Sequence, residues 1–408
     1  MFCAFFLIYF FCFLKQGFFI DYMQEKKTQL CYNKYMKILY VSTSTDMGGA
    51  ETSLRALALA AQTAGHEVKV ISLKPLGSVG KEILSRGIEV ISLDLKEKIN
   101  MMETAGVFAR LVQEIEIFQP DIVHAVLFRA IQFCRSAKKK VPFTLITTPH
   151  YDLSKRNYFL RLWDRSLKDM DDVSCAESQM TANFLLQKQH YKKEKVRLLQ
   201  NGVDTQFFTP DEDLGRKTRK KLGFQSKDTV FICVARLSAE KNHQLVLESF
   251  SAVKAKNPKI GMIVVGDGPE NAKLREFAYQ RHLEKDICFV GEVSNVYPYL
   301  LASDVFVLPS FVESLPMSLL EACSCQLPAI VSNVGDMPLV VEHGKTGFVF
   351  NGTDPILLSV LMAELCQNQK LRKEMGISAR KKIKKIYSNV EEKYLEIYKE
   401  VKKFSREN

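Results

Sequence analysis

The stretch FVESLPMSLLEAC places two carboxylates, Glu313 and Glu321, on either side of Pro316, one in a loop and the other one to two turns inside the helix that the proline starts. A retaining sugar hydrolase needs two carboxyl groups roughly 5 Å apart across the bond it cuts, and the sequence offers Glu313 no second member for such a pair. Upstream, Arg236 and Lys241 stand where an aliphatic strand gives way to a helix. A helix N-terminus already carries positive partial charge, so two cations there ask for an anion. A pyrophosphate would meet both side chains and the backbone N–H groups together. His124 and His150 close two other apolar runs, and Gly48, Gly49, Gly266 and Gly268 follow strands. Taken singly, these read as satisfied core histidines and glycine turns. The D-x-D pairs Asp169/Asp171 and Asp211/Asp213 fall at a helix end and in a linker, and Cys323 and Cys325 form no C-x-x-C pair. No metal is expected.

These residues need elements to hold them. From Lys37 a short aliphatic strand (KILYVS), a glycine-containing loop (DMGGAE), an Ala/Leu helix and a second strand (HEVKVISL) form a βαβ beginning, which implies a parallel sheet. Further strands are expected at IEVISL, DIVHAV, FTLITT, DDVSCA and KVRLLQ, completing one α/β domain. Residues around 205 to 228, with Pro210, DED and GRKTRKK, have the polar composition of a linker. The alternation then restarts with TVFICVA, KIGMIVVG, ICFVG, DVFVLPS and PAIVS, separated by helices beginning near Asn242, Pro269, Asn295 and Pro316. Two such domains would face each other, and open α/β sheets bind ligands beyond the carboxyl ends of their strands. The polar clusters sit at those ends.

At 408 residues, with 47% hydrophobic, the chain has material for two or three domains. Ten cysteines without regular spacing read as reduced thiols of a cytosolic protein. A net charge of +11 points to an anionic partner, which could be a nucleotide, a nucleic acid or an acidic lipid surface. No helix-turn-helix, zinc or aromatic RNA-binding motif occurs, so nucleic acid is not expected. The opening run MFCAFFLIYFFCFLKQGFFI is interrupted short of the roughly 20 residues a bilayer-spanning helix needs, and it lacks the basic start and cleavage site of an export signal. Residues 1–35 are expected to be a short membrane anchor or an untranslated stretch ahead of Met36, where MKILYV looks like a natural start.

MKILYVSTSTDMGGAE, PDIVHAV, TTPHYD, NGVD, VARLSAEKN, VVGDGP, LPSFVESLPMSLLEA and GKTGFVF, in this order and at these separations, resemble the retaining glycosyltransferases of family 4 over about residues 36 to 405. The resemblance implies the GT-B fold, two Rossmann-like parallel-sheet domains facing a central cleft. It assigns residues 36–205 to an acceptor-binding domain, 206–388 to a nucleotide-sugar-binding domain, and 389–408 to a C-terminal helix that crosses back onto the first. It implies that Glu321 holds the ribose of a nucleotide sugar, that Glu313 and His150 lie against the transferred sugar, and that Arg236 and Lys241 neutralise the diphosphate. Gly48 and Gly49 would approach the diphosphate from the first domain, with Gly266 lining the site. Pro316 at the first helical turn would leave the N–H groups of Leu315, Met317 and Ser318 free for phosphate. Charge placed where the leaving group develops its own would serve without a metal.

The resemblance further implies a glycan or lipid-linked acceptor, a role in bacterial surface polysaccharide or glycolipid synthesis, and a cytoplasmic place on the inner face of the cell membrane. Two alternatives share the nucleotide site: a nucleotide-sugar epimerase of the same fold, and a catalytically silent nucleotide-sugar-binding protein. Ser314 and Leu339 depart from the family pattern, standing where many relatives have glycine and glutamate. Two stretches read as a peripheral membrane surface: KLRKEMGISARKKIKK, with eight Lys/Arg against one Glu, and SKRNYFLRLWDRSLK, where basic residues interleave with Phe159, Leu160, Leu162 and Trp163.

Overall fold

The computed structural model describes residues 35–96, 101–150 and 158–407; most of the apolar extension ahead of Met36 and the start of SKRNYFLRLWDRSLK lie outside them. The first sheet contains β1 (Lys37–Ser42), β2 (Glu67–Ser72), β3 (Glu89–Ser92), β4 (Ile122–Val126), β5 (Thr144–Thr148), β6 (Val173–Ala176) and β7 (Val196–Leu198) in the order β3-β2-β1-β4-β5-β6-β7. The second contains β8 (Thr229–Val234), β9 (Ile260–Val265), β10 (Ile287–Gly291), β11 (Val305–Leu308), β12 (Ala329–Ser332) and β13 (Gly347–Phe350) in the order β10-β9-β8-β11-β12-β13. All strand-to-strand ladders are parallel. The central strands are buried along their length because helices cover both sheet faces, which is why they read as continuous apolar runs.

Strand order reverses between β1 and β4 in one sheet and between β8 and β11 in the other. Crevices for ligands open at such reversals. The segments leaving β1, β8 and β11 there carry Gly48 and Gly49, Arg236 and Lys241, and Glu313 respectively.

The structure corrects the sequence reading of two elements in the second domain. Glu212–Lys221 is a helix and not linker: Asp211 caps it by accepting from the Leu214 N–H at 2.9 Å. Arg219 fastens it to the Ala302 carbonyl at 2.8 Å and to Asp304. Only a narrow Gly215/Thr218 face is buried, too little apolar surface to betray the helix in the pattern. The second addition is β13, a four-residue strand whose Gly347 adopts φ +152 and lies where a Cβ would come within 2.0 Å of the Ala329 carbonyl oxygen.

The Val390–Glu407 helix packs on the Gly49–Thr63 helix and β5, burying Val390, Tyr394, Leu395, Ile397, Tyr398 and Val401 in the first domain's core. His124 is its anchor. Its Nδ1 lies 2.5 Å from the Tyr398 hydroxyl and its Nε2 2.7 Å from Thr148 Oγ1, while burial lowers its pKa to about 3. This histidine is a satisfied core residue. Among the described residues no helix is long and apolar enough to cross a membrane.

Candidate active site

On the second domain's side, β8 delivers its chain into a short turn ending at Lys241, and β11 delivers its chain into the loop carrying Glu313. Lys241 Nζ donates to Glu313 Oε1 at 2.6 Å, and Ser310 Oγ donates to the same oxygen at 2.9 Å. Glu313 is buried, so the ion pair and hydroxyl offset part of its desolvation. Arg236 is exposed and has no ion-pair partner among the described residues. Gly266 supports this corner by shape: it adopts φ +131, and a Cβ there would lie 2.1 Å from the Ala235 carbonyl oxygen. A Cβ on Gly268 would lie 2.5 Å from the Leu237 carbonyl oxygen, so the GDG turn packs directly against the backbone on either side of Arg236.

The helix after Glu313 spans Met317–Ser324, and Pro316 is its N-cap with extended backbone (φ −72, ψ 129). The sequence alone places the proline inside the first turn; the helix starts one residue later. The Leu319 N–H donates to the Pro316 carbonyl at 3.2 Å, which leaves Met317 and Ser318 as the first-turn N–H groups without an intrahelical acceptor. Leu315 is buried and its carbonyl accepts from Asn201 Nδ2 of the first domain at 3.1 Å. Glu321 is 9% exposed, and among the described residues no hydrogen bond reaches its carboxyl oxygens. Burial raises its pKa to about 7, with the Arg55 guanidinium pulling the other way.

From the first domain, the Gly49–Thr63 helix aims its N-terminus at the Met317–Ser324 helix. A Cβ on Gly49 would lie 3.6 Å from Met317 Cγ, and Ser53 Oγ approaches Met317 Sδ at 3.9 Å. Gly48 is the N-cap, and a Cβ there would strike Glu51 Oε2 at 2.4 Å. Glu51, held by Ser44 Oγ at 2.7 Å, is a buried carboxylate that the sequence reading did not single out. His150 follows β5 with φ +49 and is half-buried; desolvation lowers its pKa, opposed by the charge of Glu177 at the end of β6.

Glu177, Ser178 and Asp336, which carry no signature in sequence, form a polar seam between the domains with Ser314 and with Asn201 of the NGVD stretch. Among the described residues no group of three or more His, Cys, Asp or Glu side chains could hold a metal ion. Asp171 is buried against Arg135 at 2.7 Å, Asp169 pairs with Lys168 at 3.1 Å, and Asp213 pairs with Arg216 at 2.5 Å. Burial pushes the Cys323 thiol up to about 12.

Two parallel-sheet α/β domains with their switch-point loops facing across a cleft define a GT-B fold. The family profile described as glycosyltransferase family 4 matches residues 47–207, and that of glycosyl transferases group 1 matches residues 215–382. The chain belongs to the group 1 glycosyltransferases of family 4. It is 35% identical over 164 residues to UDP-Gal:alpha-D-GlcNAc-diphosphoundecaprenol alpha-1,3-galactosyltransferase of Escherichia coli, covering 39% of this chain and 42% of the relative. It is 28% identical over 190 residues to N-acetyl-alpha-D-glucosaminyl L-malate synthase of Bacillus anthracis, covering 45% and 50%. The chain thus spans about half the length of these curated relatives. HepE of Anabaena in complex with UDP-glucose superposes with a TM-score of 0.78 at 19% identity, over 91% of this chain and 100% of that one.

Proposed function

We propose that the protein transfers a sugar from a nucleotide-diphosphate sugar to a glycan or lipid-linked acceptor, with retention at the anomeric carbon, on the cytoplasmic face of a membrane. The observation that carries this reading is the meeting of two helix N-termini, at Gly49 and Met317, beside a loop tied to Lys241. A diphosphate between them would accept the free N–H groups of Met317 and Ser318, with Arg236 and Lys241 supplying the balancing charge. Glu321, buried and unpaired, would accept from the ribose hydroxyls; Glu313 and His150 would face the sugar. As the bond from the anomeric carbon to the diphosphate breaks, the acceptor oxygen bonds on the same face and its proton passes to a donor phosphate oxygen. Positive charge held where the leaving group becomes negative lowers that barrier, and this set of residues calls for no metal.

The Escherichia coli relative is named for a UDP-sugar donor and a diphosphoundecaprenol-linked acceptor, and HepE was solved with UDP-glucose, which supports a nucleotide sugar and favours a lipid-linked acceptor here. Support for a membrane surface comes from the Tyr158–Leu167 helix, where Tyr158, Phe159 (78% exposed), Leu162 and Trp163 (45% exposed) face solvent with Arg165. Asp164, the buried residue of this helix, is held by Arg135 and Gln132 at 2.8 and 2.6 Å, so the apolar side is kept outward. The basic stretch from Lys370 contributes less than its composition promises. Arg372 and Arg380 are buried on the carbonyls of Leu365 and Ser324, and Lys382 pairs with Glu342 at 3.0 Å. Incubating the purified protein with UDP-, GDP- and ADP-sugars and a lipid extract, and determining the anomeric configuration of any product, tests the proposal. An inverted product, or donor epimerisation without transfer, would overturn it.

A further inference from the structure

A second group of contacts crosses the cleft and converges on Asp336. Its carboxylate is 2% exposed and accepts the backbone N–H groups of Gln179 at 2.6 Å and Met180 at 3.3 Å, with Gln200 Nε2 at 3.2 Å. Gln179 and Met180 open the Gln179–Gln187 helix of the other domain. That helix has a cap of its own, Ser178, but the Ser178 hydroxyl takes only the third N–H, of Thr181, at 3.0 Å. The first two N–H groups, which no helix can satisfy internally, are supplied from across the cleft by a carboxylate, the charge a helix N-terminus favours.

The same Asp336 grips the loop that carries Glu313. Its backbone N–H donates to the Ser314 carbonyl at 2.8 Å. Gly335, at φ +57, presses so closely beneath the loop that a Cβ would meet the Glu313 and Ser314 carbonyl oxygens at 2.2 and 2.6 Å. From the opposite side Ser314 Oγ donates to Glu177 Oε1 at 3.1 Å and lies 2.9 Å from Ser178 Oγ. The loop is therefore clasped between its own domain's Gly335–Asp336 turn and the first domain's Glu177–Met180 segment. A glycine at position 314 would have no atom to make either of these hydroxyl contacts.

We propose that Ser314 and Asp336 are positioning residues that fasten the Glu313–Leu315 loop to the first domain as one cooperative seam, so that closing the cleft and placing Glu313 are a single event. This rests on reading the cleft as the donor site. The loop cannot leave the first domain with Asp336 left behind, because the two share a backbone hydrogen bond and the close packing of Gly335. A diphosphate bridging Gly49 and Met317 would bind the closed arrangement better, and by reciprocity the seam would tighten nucleotide binding.

The test uses the full chain and three diphosphates. Without ligand, Ser314→Ala should speed hydrogen exchange at the Gln179 and Met180 amides, whose own acceptor is untouched, by about tenfold, the effect of one lost half-buried hydrogen bond on a shared opening. Ser314→Thr, which keeps the hydroxyl, should restore the wild-type rates. Whichever of UDP, GDP or ADP binds the wild type should bind Ser314→Ala more weakly and Ser314→Thr normally. Unchanged exchange at Gln179 and Met180 in Ser314→Ala overturns the seam. Faster exchange with unchanged nucleotide affinity overturns the positioning role. Should none of the three diphosphates bind the wild type, the donor-site reading falls, and the positioning role falls with it; the exchange measurement then stands alone as a test of the seam. If Asp336→Ala fails to fold, the Ser314 pair still decides.

Discussion

Replacing Glu321 by glutamine should make the protein more stable and a poorer binder at once. The folded carboxyl keeps its proton up to about pH 7, whereas an unfolded chain releases it near the ordinary value of 4.5. The stability that burial of the neutral acid provides is thus complete below about pH 4.5 and is lost as pH rises through about 7. The interval between 4.5 and about 7 corresponds to about 3 kcal/mol. Glutamine has nearly the same shape and no charge to desolvate, so Glu321→Gln should match the wild type at pH 4 to 5 and exceed it by up to about 3 kcal/mol at pH 8. Thermal or urea unfolding at the two pH values reads the difference. Nucleotide binding should move the opposite way, because ribose hydroxyls donate best to the ionised carboxylate. Losing that charged acceptor should cost about 1.5 to 3 kcal/mol of affinity. In the wild type at pH 6, binding should release protons, visible by calorimetry in buffers of different ionisation enthalpy, and the variant should release none from this group. A Glu321→Gln protein that is less stable at pH 8 than the wild type, or whose wild-type parent binds nucleotide without proton release, would refute the reasoning.

Arg236→Ala should fold normally, since its side chain is exposed and unpaired, yet lower turnover by an amount equivalent to about 2 to 4 kcal/mol of lost charge stabilisation; near-normal turnover removes Arg236 from the mechanism. Glu313→Gln should leave the affinity for the free nucleotide diphosphate unchanged while impairing sugar transfer, so calorimetry with the nucleotide alone separates it from Glu321→Gln. A protein starting at Met36 should sediment with anionic liposomes and come off as salt rises, and the double variant Phe159→Ser/Trp163→Ser should sediment less. If neither protein binds anionic liposomes at low salt, the Tyr158–Leu167 helix is not a membrane surface.

What the sequence disclosed follows from where the physics is local. A buried parallel strand is a continuous apolar run, so β1, β8, β9 and β11 stand out, and the residues just past their ends are the ones that Glu313, Arg236 and Gly49 occupy. β13 is short, glycine-led and dependent on β12 for its pairing, so it left no pattern of its own. The Glu212–Lys221 helix was hidden by its polarity, because it buries little beyond Gly215 and Thr218. Asp336 and Glu177 are invisible for a different reason. Each is an ordinary acidic residue whose partners across the cleft lie more than a hundred positions away in the chain, and a helix cap supplied by another domain has no spacing to recognise. Gly266 shows the converse, since its pattern was legible but its cause is the closeness of the Ala235 carbonyl, which only the packed structure displays.

The anchoring of Tyr398 by His124 joins residues 274 positions apart, and it makes the first domain discontinuous along the chain. Its central sheet is complete by Leu198, but one wall of its core is built from Val390 to Val401. During synthesis the sheet must therefore wait, with the side of β4 and β5 that carries His124 and Thr148 lacking its Tyr394 and Tyr398 cover, until the Val390–Glu407 helix has been made. The second domain has no such debt: its strands and covering helices lie in one uninterrupted span and can fold while the last helix is still being made. The order of maturation is thus inverted relative to the order of translation, and the domain made first is the one finished last.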